Sequence, residues 1–386
     1  MIRVYTQIDR GYQWLHSYRG KSPLFACVFG FTETGTLPGI SAAGRTPEDR
    51  RKTALADAEY LLDGPKPLPR YPLPPLAAGA SPAVISRAVV TGLAMPTYLF
   101  DAGLPEPIPK LTQKSSRFET IDLEGTPAQC LMTGSAMEYE TTERLLELGL
   151  LWGDRLARSG DYAILGECVV GGTTTALAVL LGLGFEADGY VNSSYPECNH
   201  ERKRTVVRRG LQRWRERCDA DGKIGSSALA VVAALGDPMQ VVVAGMTISL
   251  SRHGGVLLAG GTQMLAVYAL ARAIARERQL TWYPEQVVVG TTRWVVEDPT
   301  GHTVQLARLV GNVPLVATQL NLSASRYPQL QAYERGYVKE GVGAGGCAIA
   351  ASLHDWSEAR LLDVVDATFD RLDRSRSIEK VVYSEE

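Results

Sequence analysis

Short apolar runs, glycines and longer amphipathic stretches follow one another along this chain in a repeating order. Residues 23–31 are almost wholly apolar and end in Thr32-Glu33-Thr34-Gly35, the pattern of a buried strand feeding a loop. Residues 96–100, ending at Asp101, and 162–166 read as further strands, as do 241–244, 255–258, 286–290 and 314–318. Helical character marks 47–62, with Thr46 as N-cap and Pro47 in the first turn. It also marks 81–92, with Ser81 as N-cap and Pro82 behind it. In 142–158, Leu145, Leu146, Leu148, Leu150, Leu151 and Leu156 recur at helical spacing. Residues 173–183, 201–218, 263–278 and 356–374 complete the predicted helices. Strands rich in valine and leucine, each followed by glycine and then a helix, predict an α/β fold. Its expected form is a Rossmann-like parallel sheet with helices on both faces, plus a smaller, mostly helical part. The proline-dense tract 65–75 must be extended and is expected at the surface. It suggests an N-terminal segment, 1–75, ahead of a main domain, 76–386, with a single domain over 1–386 as the alternative.

Composition narrows the classes. The 386 residues are 45% hydrophobic and 21% charged, ordinary globular usage. Lys+Arg number 40 against 42 Asp+Glu, so no basic excess points to nucleic acid. The run Arg202-Lys203-Arg204 with Arg208 and Arg209 reads first as a solvated helix face. The six cysteines are scattered without a C-x-x-C pair, and no histidine stands at metal spacing. Neither a zinc site nor a disulfide framework is expected, and a reducing compartment is the simpler reading. The first residues show no apolar signal segment, and the apolar stretches 228–250 and 256–275 are interrupted by Asp237-Pro238 and by Gly260-Gly261 and Arg272. The expectation is a cytoplasmic protein without a membrane partner.

Two glycine-rich stretches carry candidate chemistry. In Gly166-Glu167-Cys168-Val169-Val170-Gly171-Gly172-Thr173-Thr174-Thr175, a strand ends, two glycines permit close backbone approach and a helix begins. Exposed N–H groups at such a helix start attract phosphate. A tight turn with a threonine cap is the alternative, and the spacing is not that of a Walker loop. In Lys339-Glu340-Gly341-Val342-Gly343-Ala344-Gly345-Gly346, four glycines follow a glutamate. That carboxylate is either a helix cap or a general base fixed by the loop. Lys203 is either a surface lysine or a flexible charge within reach of a phosphate. The five histidines stand isolated, with His253 beside Gly254-Gly255 the one near a loop mouth, and no Gly-x-Ser-x-Gly elbow occurs.

These stretches resemble a known family. Residues 167–176 look like the Glu-Met-Gly-Ile-Gly-Asn-Thr-Thr-Ala stretch of nicotinate-nucleotide:dimethylbenzimidazole phosphoribosyltransferases. Residues 339–344 look like that family's Gly-Glu-Gly-(Ser/Thr)-Gly-Ala. Residues 203–211 and 229–245 are similar to its lysine-bearing helix and its Leu-x-x-Leu-Gly-Gly stretch, in the same order. The first 150 residues resemble a separate prokaryotic branch of the family, through Gly39-Ile40-Ser41-Ala42-Ala43-Gly44, Asp57-Ala58-Glu59 and Ser81-Pro82-Ala83. The chain departs from the family in three places. The Gly-Ser-Leu-Gly-x-Leu-Glu segment has no counterpart, Leu320-Asn321-Leu322-Ser323-Ala324-Ser325 replaces Ser-His-x-Ser-Ala-Glu, and Gly172 replaces the loop asparagine.

The resemblance implies transfer of phosphoribose from nicotinate mononucleotide to a benzimidazole or purine base, giving an α-ribotide for a cobamide lower ligand. It implies Glu340 as the base and Glu167 as a supporting carboxylate. Gly171, Gly172, Thr173, Thr174, Lys203, Gly341 and Gly343 would hold the 5′-phosphate or let the backbone approach it. The expected partners are small molecules and a second copy of the chain, in a homodimer, and no cofactor or metal is expected. A non-catalytic relative that binds a nucleotide or cobamide precursor is the alternative. An NAD(P)-binding Rossmann enzyme is disfavoured, because Gly171-Gly172 lacks the Gly-x-Gly-x-x-Gly spacing.

Overall fold

The computed structural model describes residues 2–74, 79–110, 117–221 and 227–384. The described strands are β1 (Ile2–Thr6), β2 (Pro23–Phe29), β3 (Thr97–Asp101), β4 (Phe118–Asp122), β5 (Tyr162–Cys168), β6 (Gly255–Ala259), β7 (Val287–Thr292) and β8 (Leu315–Thr318). They form one sheet in the order β1-β8-β7-β6-β5-β2-β3-β4. Seven strands run parallel, and β1 closes one edge antiparallel to β8, so the sheet is mixed rather than wholly parallel.

The interleaved helices are α1 (Ile8–Tyr18), α2 (Pro47–Asp63), α3 (Ala83–Gly92), α4 (Tyr139–Leu156), α5 (Gly172–Gly182), α6 (His200–Asp221) and α7 (Ala228–Leu235). They continue with α8 (Pro238–Leu250), α9 (Thr262–Glu277), α10 (Arg293–Val296), α11 (Thr303–Val310), α12 (Pro328–Gln331), α13 (Ala344–Leu353) and α14 (Glu358–Ser384). Alternate residues of each central strand feed opposite faces of the sheet. Leu24, Ala26 and Val28 of β2 join a core with α4 to α9 and α11. Phe25, Cys27 and Phe29 join a second core with α1 to α3, α13 and α14. On that second face α3 packs against both α2 and α14 in the helical part of the fold.

Several expectations change at this level. Residues 241–244 lie inside α8 and are not a strand. Asp237 caps α8 through a capping box with Gln240, and every residue of the helix is buried, so its valine run has no polar face to betray the helical period. Thr46 and Pro47 start α2 as expected, again with a capping box, through Asp49. The N-cap residue of α3 is Pro82, but the Ser81 hydroxyl does accept from Ala83 N–H at the helix start, at 3.1 Å, while donating to Asp57. The proline tract is pinned down. Its Arg70 and Tyr71 N–H groups donate to the buried Glu59 carboxylate at 2.9 and 2.6 Å, and Tyr71 and Leu73 are buried. Its last residue, Pro75, lies outside the described residues. The sheet also crosses position 75, since β1 and β2 precede it and the other strands follow.

The chain reverses direction across the sheet between β2 and β5. From β2 it proceeds outward to β3 and β4, and from β5 outward the other way to β6, β7 and β8. In open α/β sheets a ligand crevice opens beyond the carboxyl ends of the strands at such a switch point. Among the described residues, no helix is long and apolar enough to cross a membrane.

Candidate active site

Both glycine loops meet at the carboxyl end of β5. Glu167 is the penultimate residue of that strand, and its backbone carbonyl accepts a 2.9 Å hydrogen bond from Val342 N–H of the second loop. A Cβ on Gly166 would come within 3.3 Å of Gly343 Cα, and one on Gly343 within 2.8 Å of the Phe25 ring. Glycine at these positions is what lets the two loops touch. The second loop is strained. Val338, Lys339 and Val342 all have positive φ, and the bonds from Lys339 N–H to Tyr337 O and from Glu340 N–H to Val338 O close successive three-residue turns. Such conformations cost energy in non-glycine residues and persist where the surroundings over-determine them.

The strain delivers the Glu340 carboxylate into a cradle of four donors. Oε1 accepts from Gly341 N–H at 3.2 Å and Gly345 N–H at 3.0 Å; Oε2 accepts from Thr291 Oγ1 at 2.9 Å and Thr292 N–H at 3.0 Å. Glu340 therefore satisfies a first-turn N–H of α13, whose N-cap residue is Gly343, and it still keeps an edge on the cavity described below. Burial raises its pKa, and the four donors oppose that rise. Glu167 is supplied less well. Its Oε2 accepts from Gln263 Nε2 at 2.6 Å. Burial, followed by the charges of Glu340 and Asp237, pushes it up to about 8. Two carboxyls that share a site do not both ionise readily.

A cavity of about 500 Å³ opens between these loops. Glu167, Gly171, Gly172, Thr173, Glu340 and Gly341 all line it. Gly171 is in the left-handed region, φ 89°, and starts α5 with its first turn toward the cavity. The start of α9 lines the cavity as well, through Gly261, Thr262 and Gln263. Two helix N-termini thus present partial positive charge to one space. The Thr262 hydroxyl is buried there without a hydrogen-bond partner.

Three expected site residues stand behind this wall. Thr174 and Gly343 are buried outside the lining. Lys203 is fully buried, with its ammonium on the backbone carbonyl of Asn192, a residue of the cavity wall. It is not the exposed, mobile charge that its surroundings in sequence suggested. Burial lowers it to about 7, helped by Lys339 and opposed by Cys198 and Asp298. Lys203 lies three and four residues before the buried Val206 and Val207 on α6, and that shared helix face was the available signal. Lys339 holds the neighbouring buried ion pair. Its Nζ donates to Asp298 Oδ2 at 2.5 Å and to the carbonyls of Tyr195 and Pro196. Burial alone would raise Asp298, but hydrogen bonds from Lys339 and Thr300 hold it down at about 2. His253 lies away from the cavity and bonds Asp154 at 2.9 Å.

Sequence reasoning missed Gln263 and the part played by the first 60 residues. A Cβ on Gly172 would collide with the Gln263 amide, so that amide fills the space in front of residue 172. Residues 40–45, Asp57, Ser81 and Pro82 also line the cavity. The three N-terminal motifs, far apart in the chain, therefore form one wall. Arg45 is exposed on its rim. Among the described residues, no cluster of histidine, cysteine and carboxylate side chains is arranged to hold a metal ion.

A family model described as phosphoribosyltransferase matches residues 78–291. The chain belongs to this phosphoribosyltransferase family. It is 60% identical over 373 residues to the UPF0284 protein Cyan7425_0342 of Cyanothece sp. PCC 7425, covering 96% of this chain and 97% of that one. It is 56% identical to the UPF0284 protein alr0297 of Nostoc sp. PCC 7120, covering 96% and 99%. Its fold is that of the nicotinate-nucleotide-dimethylbenzimidazole phosphoribosyltransferase of Thermus thermophilus, with a TM-score of 0.60 at 18% identity over 93% of this chain and 92% of that one. A second structure, CobT of the same organism, gives a TM-score of 0.59 at 18% identity, covering 93% and 90%.

Proposed function

We propose that this phosphoribosyltransferase family member moves phosphoribose from nicotinate mononucleotide to an aromatic nitrogen base, releasing nicotinate and an α-ribotide of the kind used as a cobamide lower ligand. The observation that carries this reading is the convergence of Glu340 and Glu167, one from each glycine loop, on a cavity that also takes in the first turn of α5.

The chemistry uses each part. The bond from the anomeric carbon to the nicotinate nitrogen breaks, and its electron pair stays on the ring, which leaves uncharged at that nitrogen. The acceptor's unprotonated ring nitrogen attacks from the opposite face, which inverts the anomeric carbon. The acceptor's other ring nitrogen then gives up its proton to the Glu340 carboxylate, a contribution of about 10²- to 10⁴-fold. Positive charge developing on the sugar favours the ionised form of Glu167, which supports the transition state. Gly171, Gly172 and Thr173, with Gly341 across the cavity, take the phosphate side. Behind them, Gly343 packs on Gly166 and Lys203 holds the Asn192 backbone of the cavity wall. Fixing both partners in line supplies much of the remaining acceleration.

The test is direct. The protein is incubated with nicotinate mononucleotide and a panel of benzimidazoles and purines, and products are read by mass spectrometry. Free nicotinate and a new α-ribotide in equal amounts are expected with at least one base. Tight nucleotide binding with no nicotinate release from any base would favour a non-catalytic binding protein.

A further inference from the structure

Asp57 is a buried carboxyl on the cavity wall that the reaction above does not use. It projects from α2, is 5% exposed, and lines the cavity. Ser81 Oγ donates to its Oδ1 at 2.5 Å, and the Cys168 thiol approaches Oδ2 at 3.6 Å. A carboxylate accepts about four hydrogen bonds, and a thiol is a weak donor.

Other buried acids are better supplied. Asp298 takes an ammonium, a hydroxyl, a backbone N–H and an amide. Glu59 takes a lysine and two backbone N–H groups. Among the described residues no lysine or arginine forms an ion pair with Asp57. Its capacity to accept is left over, and it faces the cavity.

The position suits an acceptor. Cys168 follows Glu167 directly in sequence, and Pro82 lies against Gly341, next to Glu340. Asp57 is therefore on the wall that joins the two glycine loops. Ile40, Pro82, Val338 and Val342 give the same cavity apolar surface beside its polar groups. Apolar surface with an under-supplied acceptor suits a flat heterocycle that carries a donor on its edge. Burial pushes Asp57 up to about 6, against the hydrogen bonds from Ser81 and Cys168, and pH 7.5 lies on the carboxylate side of that value.

We propose that Asp57 selects the acceptor base, favouring an aromatic nitrogen heterocycle with an N–H donor on its ring edge over one that presents only methyl groups there. The proposal rests on the transferase reading of the same cavity. A methyl-edged base would seal the carboxylate from water and give it nothing in return, whereas an amino group satisfies it.

The experiment is a calorimetric titration at pH 7.5 with 5-aminobenzimidazole and with 5,6-dimethylbenzimidazole. The wild-type chain is expected to bind the amino compound at least about tenfold more tightly, since sites built to hydrogen-bond a substrate reject analogues that lack the donor. Asp57→Asn, checked for an unchanged melting curve, is expected to erase most of that preference. Ser81→Ala leaves the carboxylate in place and is expected to keep it. Equal or tighter wild-type binding of the dimethyl compound overturns the proposal, and so does a preference that survives in Asp57→Asn or vanishes in Ser81→Ala. Failure of the transferase reading shows separately, as no nicotinate release with any base while the binding preference persists.

Discussion

The two glycine loops look alike in sequence, each pairing one glutamate with flexible backbone, yet they treat their carboxyls differently. Glu340 lies in a strained loop that brings it among four donors, three of them backbone N–H groups, with two of the four from the end of β7. Glu167 is the penultimate residue of a regular buried strand, and its side chain takes hydrogen bonds from Val169 N–H and Gln263. Burial raises both carboxyls, but four donors oppose the rise at Glu340, while the charges of Glu340 and Asp237 add to it at Glu167. The same signature thus yields one carboxyl set up to accept a proton and one that keeps its own.

The largest effect that tests this difference is on turnover. Glu340→Gln keeps the shape but turns an NH2 group toward two of the four donors and removes the base, so the folded variant is expected to melt below the wild type and kcat to fall by about 10²-fold or more. A variant that turns over at the wild-type rate removes Glu340 from the reaction. Glu167→Gln should show a smaller and different effect, on stability against pH. The folded chain keeps the Glu167 proton up to about pH 8, whereas an unfolded chain releases it near 4.5. Folding stability from this group is therefore fully present at low pH and is lost as the pH rises through that interval. Thermal melts at pH 5.5 and 8.5 are expected to show a smaller loss in Glu167→Gln than in the wild type. Equal losses would place the proton elsewhere.

How far the sequence showed this varies along the molecule. The strands β2, β5, β6, β7 and β8 were legible because valine- and leucine-rich runs ended in glycine or turn residues. The edge strands β1 and β4 were not, since β1 buries only Val4 and Thr6 and β4 only Ile121, which leaves no continuous apolar run. The valine run in α8 looked like a strand because the helix is buried all round. Glu167 and Glu340 stood out beside their glycines. Gln263 did not, because it works on Glu167 across 96 residues, and the Cys168–Asp57 contact spans 111. Lys203 looked available and is buried, because the charge run around it masks the apolar face of α6 that carries it inward.

The most direct measurement is a pH titration of the two carboxyls by carbon-13 NMR, with glutamate labelled at the carboxyl carbon and Glu167→Gln and Glu340→Gln used to assign the signals. The account predicts that Glu167 titrates near pH 8 in the wild type and that Glu340 ionises below it. A Glu167 midpoint near the ordinary 4.5, or a Glu340 that holds its proton to higher pH than Glu167, would contradict it.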